Sequence, residues 1–375
     1  MTGRDSFRRV PRRIAWGGSL VLVVLVICVS VLFERSSGSG GVVPPTSLDR
    51  LADASVIGTT PSTRSIDAVP TSTPATDVVA TTRDPPPTTT AAPSEAPDPT
   101  RIVAVGDIAC DPSSSSFEGG LGTDSACQQQ ATSDLVVDEG YAAFLGLGDL
   151  QYEEGTDRAF MASYDLSWGR VKDITFPVPG NHEYHTSHAS GYYSYFGSRS
   201  GDPDRGYYSY DIGDWHLVAL NSNCDEVSCS EGSPQESWLR TDLAANPKRC
   251  TLVYWHHPLY SSGKHGNNPE VAPLYRAAYE LGVDVAIAGH DHHYERFAPQ
   301  DASGNLDPVT GIREFVVGSG GKSHYAIESV LANSEASDSE TFGVLELTLL
   351  PDRYEWRFVP RDGQFYTDSG SDACH

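Results

Sequence analysis

Five short polar clusters each follow an apolar, strand-like run. They are Gly106-Asp107, Gly148-Asp149-Leu150-Gln151-Tyr152, Gly180-Asn181-His182-Glu183, Val253-Tyr254-Trp255-His256 and Gly289-His290-Asp291-His292. Together they offer Asp107, Asp149, Tyr152, Asn181, His256, His290 and His292 as hard oxygen and imidazole donors. That inventory suits a pair of metal ions carrying out hydrolysis. A lone Gly-Asp pair is ordinarily a turn or a helix cap. Two such pairs, followed in order by Gly-Asn-His-Glu and Gly-His-Asp-His, read as a donor set instead. His290 and His292 alternate with Asp291, so in an extended segment both rings point the same way. One ring can then serve each ion of a pair about 3.5–4 Å apart. By the same alternation His257 and His293 face away, and read as residues that support the ligands or edge the substrate site.

The elements that must position these residues alternate between strand-like and helix-like runs. Strands are expected at 102–105, 142–147 and 174–178. A hairpin follows, 207–212 and 215–221, turning at Gly213-Asp214. Further strands are expected at 251–255, 283–288, 314–317, 343–349 and 354–359. Helices are expected at 124–139, 157–168, 233–245 and 269–281, the third opened by Ser233-Pro234. The pattern is α/β with added antiparallel strands, most simply two packed mixed β-sheets flanked by helices. Ligands in α/β sheets collect at the carboxyl edges of strands. One rim can therefore gather five clusters spread widely along the chain.

The bulk numbers restrict the function. The chain has 375 residues and a formal net charge of −24. A surface this acidic argues against nucleic acid as a partner. Residues 1–35 are of a different kind: Arg8, Arg9, Arg12 and Arg13 precede the uncharged stretch Ile14–Phe33. About 20 apolar residues span a bilayer, and the positive flank should stay in the cytoplasm. The segment reads as a transmembrane signal-anchor, with a cleaved secretory signal as the alternative. Either way the body is extracytoplasmic, single-pass and anchored in the first case, secreted in the second. Residues 36–100 are rich in Ser, Thr, Pro and Ala, a composition that reads as a disordered linker. The catalytic domain is expected at 101–375. Beyond Cys28, the chain carries Cys110, Cys127, Cys224, Cys229, Cys250 and Cys374. An even set in an exported domain suggests disulfides, with 15 pairings open to six cysteines. Sequence proximity suggests Cys110–Cys127 and Cys224–Cys229, which leaves Cys250–Cys374.

The ordered set G-D, G-D-x-x-Y, G-N-H-E, V-x-x-H and G-H-x-H resembles metallophosphoesterases. Within them it resembles the purple acid phosphatases of the short type with one catalytic domain. The resemblance covers about residues 101–300, more weakly to about 360. It implies a metallophosphoesterase-like α/β/β/α sandwich. General metallophosphoesterases carry D-x-H in the first block; here that third position is Ala109, and Tyr152 stands where purple acid phosphatases place a Tyr ligand. The first block also departs from their usual G-D-x-G. The resemblance implies Fe(III) held by Asp107, Tyr152 and His292, with Asp149 bridging. It implies a second, divalent ion (Fe, Zn or Mn) held by Asp149, Asn181, His256 and His290. It further implies hydrolysis of small phosphomonoesters by attack of a metal-bound hydroxide. His182 and His265 would contact the phosphate or pass a proton to the leaving group. A phosphodiesterase or nucleotidase on the same scaffold, or a catalytically silent surface-binding module, are the alternatives. His185, His188, His216 and His324 read as structural or exposed, and no role is fixed for Glu183. The oligomeric state is not legible.

Overall fold

The structure, a computed structural model, describes residues 99–327 and 329–375. The expected membrane segment Ile14–Phe33 and nearly all of the linker lie outside the described residues. Among those described, no helix is long and apolar enough to cross a membrane.

The strands are β1 (Thr100–Val105), β2 (Ala143–Leu147), β3 (Thr175–Val178), β4 (Tyr208–Ile212), β5 (Trp215–Ala219), β6 (Cys250–Tyr254) and β7 (Val285–Ala288), followed by β8 (Tyr294–Phe297), β9 (Arg313–Val317), β10 (Ser334–Asp338), β11 (Gly343–Leu349), β12 (Arg353–Pro360) and β13 (Ser369–Ala373). The helices are α1 (Gln129–Ser133), α2 (Asp157–Ala159), α3 (Asp165–Ser167), α4 (Ser190–Phe196), α5 (Pro234–Ala245) and α6 (Ala272–Glu280). One sheet has the order β13-β12-β11-β1-β2-β3 and the other β10-β8-β9-β7-β6-β5-β4. Both are mixed. β1, β2 and β3 run parallel, as do β5, β6, β7 and β9. The flanking strands pair antiparallel.

The parallel strands are apolar on both faces because both faces are covered. Along β6, Leu252 and Tyr254 join a core shared with the first sheet, while Val253 joins the core beneath α5 and α6. β7 repeats this, with Val285 and Ile287 on one side and Ala286 and Ala288 on the other. Leu239 and Leu243 of α5 and Leu274, Ala277 and Ala278 of α6 supply the outer apolar layer there. On the first sheet, Phe144 lies 4.3 Å, centroid to centroid, from Trp168, within an aromatic group that includes Phe160, Tyr164 and Tyr195. Helix, sheet, sheet and helix therefore stack in layers, with one core shared by the two sheets and another beneath α5 and α6.

Several sequence expectations needed correction. The helix expected at 124–139 contracts to α1. Cys127 has φ +61° and is bonded to Cys110, and its N–H donates to the Lys322 carbonyl, which holds the chain before α1 as a loop. The helical run 157–167 contains a π-helical turn, Phe160–Tyr164, between α2 and α3. Helix α4 was not expected, though Tyr192, Tyr195 and Phe196 bury one of its faces at helical spacing. Strands β8, β10 and β13 were also missed. Two of them, Ser334–Asp338 and Ser369–Ala373, are polar and partly exposed, so no apolar alternation marks them.

The three disulfides are Cys110–Cys127, Cys224–Cys229 and Cys250–Cys374. The last ties the chain end to β6 across 124 residues. Cross-links over long loops restrict the unfolded chain most, so a Cys250→Ser/Cys374→Ser variant should lose roughly 2–5 kcal/mol of unfolding free energy. Urea titration measures this, and a variant as stable as the parent would contradict it. A second prediction concerns His216, buried on β5 with Nδ1 2.8 Å from Asp211 and Nε2 2.9 Å from Asp242. Burial lowers its pKa, but the bonds to Asp242 and Asp211 outweigh burial and leave it raised. A raised pKa adds stability that is complete below the unfolded value of about 6.5 and is lost as pH rises through the folded value. The melting-temperature gap between the parent and His216→Gln should therefore narrow from pH 5.5 to pH 9. A gap that widens would refute the assignment.

Candidate metal centre

Five parallel strands from the two sheets end near one another, and each is followed within three residues by a donor. Asp107 follows β1, Asp149 follows β2, Asn181 follows β3, His256 follows β6 and His290 follows β7. The backbone turns sharply at these positions. Asp107, Asp149 and His290 have φ of +60°, +48° and +71°, values that side chains other than Gly rarely adopt and that concentrate at functional sites. The turn falls on the Asp residues themselves rather than only on the preceding Gly. Close approach is what the flanking glycines permit: a Cβ on Gly180 would sit 2.2 Å from Asp149 Oδ1, and one on Gly289 2.7 Å from Asp107 Oδ2.

The donors fall into two groups. In the first, Tyr152 Oη lies 2.8 Å from Asp107 Oδ1 and 3.0 Å from His292 Nε2, and His292 Nε2 is 3.4 Å from Asp107 Oδ1. In the second, Asn181 Oδ1 and His290 Nδ1 each lie 3.2 Å from His256 Nε2, with Asp149 Oδ2 at 3.4 Å. Asp107, Asp149 and His256 also bring ligand atoms within 4.8 Å of one another, which links the groups. Ligands bound at about 2.1 Å to one ion and at right angles to each other are about 3.0 Å apart. The separations in both groups match that spacing. His256 Nδ1 donates to the Leu147 carbonyl and His292 Nδ1 meets Ser323 Oγ, so each ring presents Nε2 to its group.

The charges also fit a cation. Burial and then the Asp107 carboxylate push the Tyr152 phenol well above its ordinary range. Without a cation it therefore donates to Asp107; a bound cation reverses that preference. Burial pushes Asp149 up, but His256 and His182 outweigh it and hold the carboxyl well below its usual range. His256 shows the reciprocal effect: burial lowers it, the Asp149 charge outweighs burial, and it is pushed up to about 9.

A family description for calcineurin-like phosphoesterases matches residues 100–294, more than half of the chain. The chain belongs to the calcineurin-like phosphoesterase family. Among curated proteins it is 32% identical to purple acid phosphatase 18 of Arabidopsis thaliana, over 32% of this chain and 28% of that protein. It is 27% identical to acid phosphatase type 7 of Danio rerio, over 42% of each. The chain thus spans less than half the length of these relatives. Among solved structures, it is similar to the purple acid phosphatase PPD1 of yellow lupin (Lupinus luteus) seeds. The TM-score is 0.60 at 20% identity, covering 74% of this chain and 54% of that one. It is also similar to GAP50, the anchor in the inner membrane complex of Plasmodium. There the TM-score is 0.51 at 14% identity, covering 72% and 88%.

Around this family centre, the histidines beyond the donor groups are sorted by the loops. His182 Nδ1 donates to the Glu153 carbonyl at 2.7 Å, and its ring lies 4.3 Å from that of Tyr152. His265 lies 4.4 Å from His290 and 5.2 Å from Tyr325, ring to ring. His257 corrects the alternation argument. Its ring sits 4.5 Å from His290 and lines a cavity that Asn181 and His290 also line, because β6 has already ended at Tyr254. The extended geometry assumed for His290 and His292 is likewise replaced by a bend, with His290 left-handed. His293 does face away: it is fully buried, with Nε2 3.1 Å from Glu295. His185 lines the cavity edge, 4.7 Å from the His182 ring.

Sequence reasoning missed four supports. Asp291, between two donors, accepts from Ser261 Oγ and from the N–H groups of His265 (2.9 Å) and Gly266 (3.2 Å), which fixes the loop carrying His265. Tyr325 stacks on His292 at 4.0 Å, and Lys322 Nζ lies 4.5 Å over the Tyr152 ring. Both come from the segment after β9, a further parallel strand end. Its Gly318-Ser319-Gly320-Gly321-Lys322-Ser323 run was the available signal. The fourth is Glu183. It is fully buried and accepts the N–H groups of Asp149 (2.8 Å), Leu150 (2.9 Å), Gln151 (3.2 Å) and Gly180 (2.7 Å). Burial pushes its carboxyl up to about 7, the Asp149 charge adds to this, and the N–H bonds oppose it. Glu183→Gln turns one acceptor into a donor facing N–H groups. It should cost roughly 1–3 kcal/mol of stability and weaken metal binding by about 10–100-fold. Thermal melts and metal titration read the two effects; a variant that binds metal normally would show that Glu183 does not set the Asp149 turn.

Proposed function

We propose that this chain is a phosphomonoesterase of the purple acid phosphatase kind, working with two metal ions. Asp107, Tyr152 and His292 would hold Fe(III), Asn181, His256 and His290 a divalent ion, and Asp149 would be shared. The observation that carries this reading is the division of seven donors into two groups linked by the close approach of Asp107, Asp149 and His256. When bound, the ions activate water as the nucleophile and neutralise the phosphate oxygens. The water oxygen forms a bond to phosphorus as the ester P–O bond breaks, and the leaving alkoxide takes up a proton. His182 and His265 are the groups proposed to meet a phosphate oxygen or to supply that proton. Asp291 keeps His265 in reach by holding its loop, and Glu183 keeps Asp149 in its turn.

The proposed setting is outside the cytoplasm. Three disulfides support an oxidising compartment. The arginines and the apolar stretch Ile14–Phe33 support an N-terminal anchor, followed by the spacer 36–100 and the catalytic domain 101–375. Small phosphorylated molecules are the proposed substrates.

The test is metal analysis, visible spectroscopy and turnover of the full-length protein. We expect iron, a tyrosinate-to-iron band that Tyr152→Phe abolishes, and hydrolysis of p-nitrophenyl phosphate in preference to the bis-aryl diester. Asp149→Ala should lose more than the roughly 10–100-fold that changes around a ligand cost. A colourless, fully active protein with two divalent ions removes iron from the reading and leaves the phosphoesterase. Preference for the diester replaces the phosphomonoesterase with a phosphodiesterase. No turnover of either ester in metal-loaded protein favours a surface-binding module.

A further inference from the structure

We propose that the cavity beside the donor groups selects phosphomonoesters whose alcohol portion carries a positive charge, through Asp225, Glu226 and Glu270. The inference rests on the phosphomonoesterase reading and adds the substrate class.

The cavity measures about 420 Å³, enough for a small ester. Asn181, His257 and His290 line it, so it opens directly onto the second donor group. A phosphate held at the metals would place its organic substituent in this space. The lining contains Asp225, Glu226 and Glu270 and no Lys or Arg. All three carboxylates are solvent-exposed, and among the described residues none takes part in an ion pair. Arg205, which lines an adjoining cavity with Glu226, is engaged by Asp202 instead.

The acidic wall is held in place from two directions. Asp225 and Glu226 lie in the loop closed by Cys224–Cys229. That loop is pinned beside the Gly180-Asn181 turn: Asn223 Nδ2 donates to the Pro179 carbonyl at 3.0 Å and to Asn221 Oδ1 at 2.9 Å, and the Val227 N–H returns to the Asn223 carbonyl at 2.9 Å. Glu270 comes from a separate segment, the turn Pro269–Val271 that leads into α6. Asn268, also in the lining, anchors that segment by donating to the Pro258 carbonyl at 3.1 Å.

In this arrangement the metals answer the phosphate charge and the carboxylates meet the rest of the molecule. An ammonium or quaternary amine on the alcohol is attracted; a carboxylate or further phosphate there is repelled. A cleft lined by one sign of charge strengthens both effects, and salt weakens them. Tyr184 and Val271 also line the cavity and give its wall an apolar part that fits the alkyl chain of such an ester.

The experiment uses full-length, metal-loaded protein at low salt and three alkyl phosphates of similar size: phosphocholine, glycerol 2-phosphate and 3-phosphoglycerate. kcat/KM should fall in that order, with phosphocholine about tenfold above the neutral ester. The spread should compress to about twofold in Asp225→Asn/Glu226→Gln/Glu270→Gln, and Glu270→Gln alone should remove part of it. These isosteric changes at exposed positions remove charge without removing volume, and melting curves check that the variants fold. Calorimetric binding of phosphocholine and 3-phosphoglycerate gives a second readout that needs no turnover. Equal rates for the three esters, a preference for the anionic one, or a preference that survives the triple variant overturns the inference and leaves the phosphomonoesterase standing. Absence of turnover on every ester overturns the phosphomonoesterase, and the binding preference then decides the cavity by itself.

Discussion

The site depends first on one buried carboxylate that binds nothing but backbone. Glu183 accepts four N–H groups, three from the turn after β2 and one from the turn after β3. Without an acceptor there, those N–H groups would be buried and unpaired, at a cost that a turn of this kind could not bear. With it, Asp149 is held in a left-handed conformation beside Gly180 and Asn181. The residue proposed to be shared by the two donor groups is therefore placed by a side chain that belongs to neither.

The same device recurs on the other sheet. The loop from Leu259 to Gly266 has few backbone partners of its own, and three buried acids supply them. Glu314 accepts from Leu259, Glu295 from Ser262, and Asp291 from His265 and Gly266. Burial pushes Glu314 up to about 8, so anchoring the loop is gained against a desolvation cost. A chain with a formal charge of −24 thus places some of its carboxylates inside, as acceptors for loops that carry histidines. Others, Asp225, Glu226 and Glu270, stand at the wall of the cavity beside the donor groups.

The tyrosine group shows how environment and chemistry interlock. Tyr152 packs against the His182 ring and the Lys322 ammonium, and its phenol is hydrogen-bonded to Asp107. Burial alone favours the neutral phenol. Only a strong cation at the same oxygen makes a phenolate the better form, which is why this residue, more than the carboxylates, speaks to the kind of metal.

Much of this was legible from residue types and order. The five clusters, their position past strand ends, and the seven donors follow from short motifs whose members must lie close to a strand terminus. The parallel strands were legible because burial on both faces demands continuous apolar runs. The polar strands β10 and β13, the shortened α1 and the left-handed turn at His290 were not, since tertiary contacts and a disulfide override local preference there. The sequence by itself determined the donor inventory and the layered α/β architecture. Tertiary structure alone decided that His257 turns toward the site, that Glu183 and Asp291 hold its loops, and that three carboxylates from two distant segments share one cavity wall. The physical reason is range: motifs and periodicity record neighbours along the chain. Buried hydrogen bonds and unpaired charges acquire meaning only from neighbours in space.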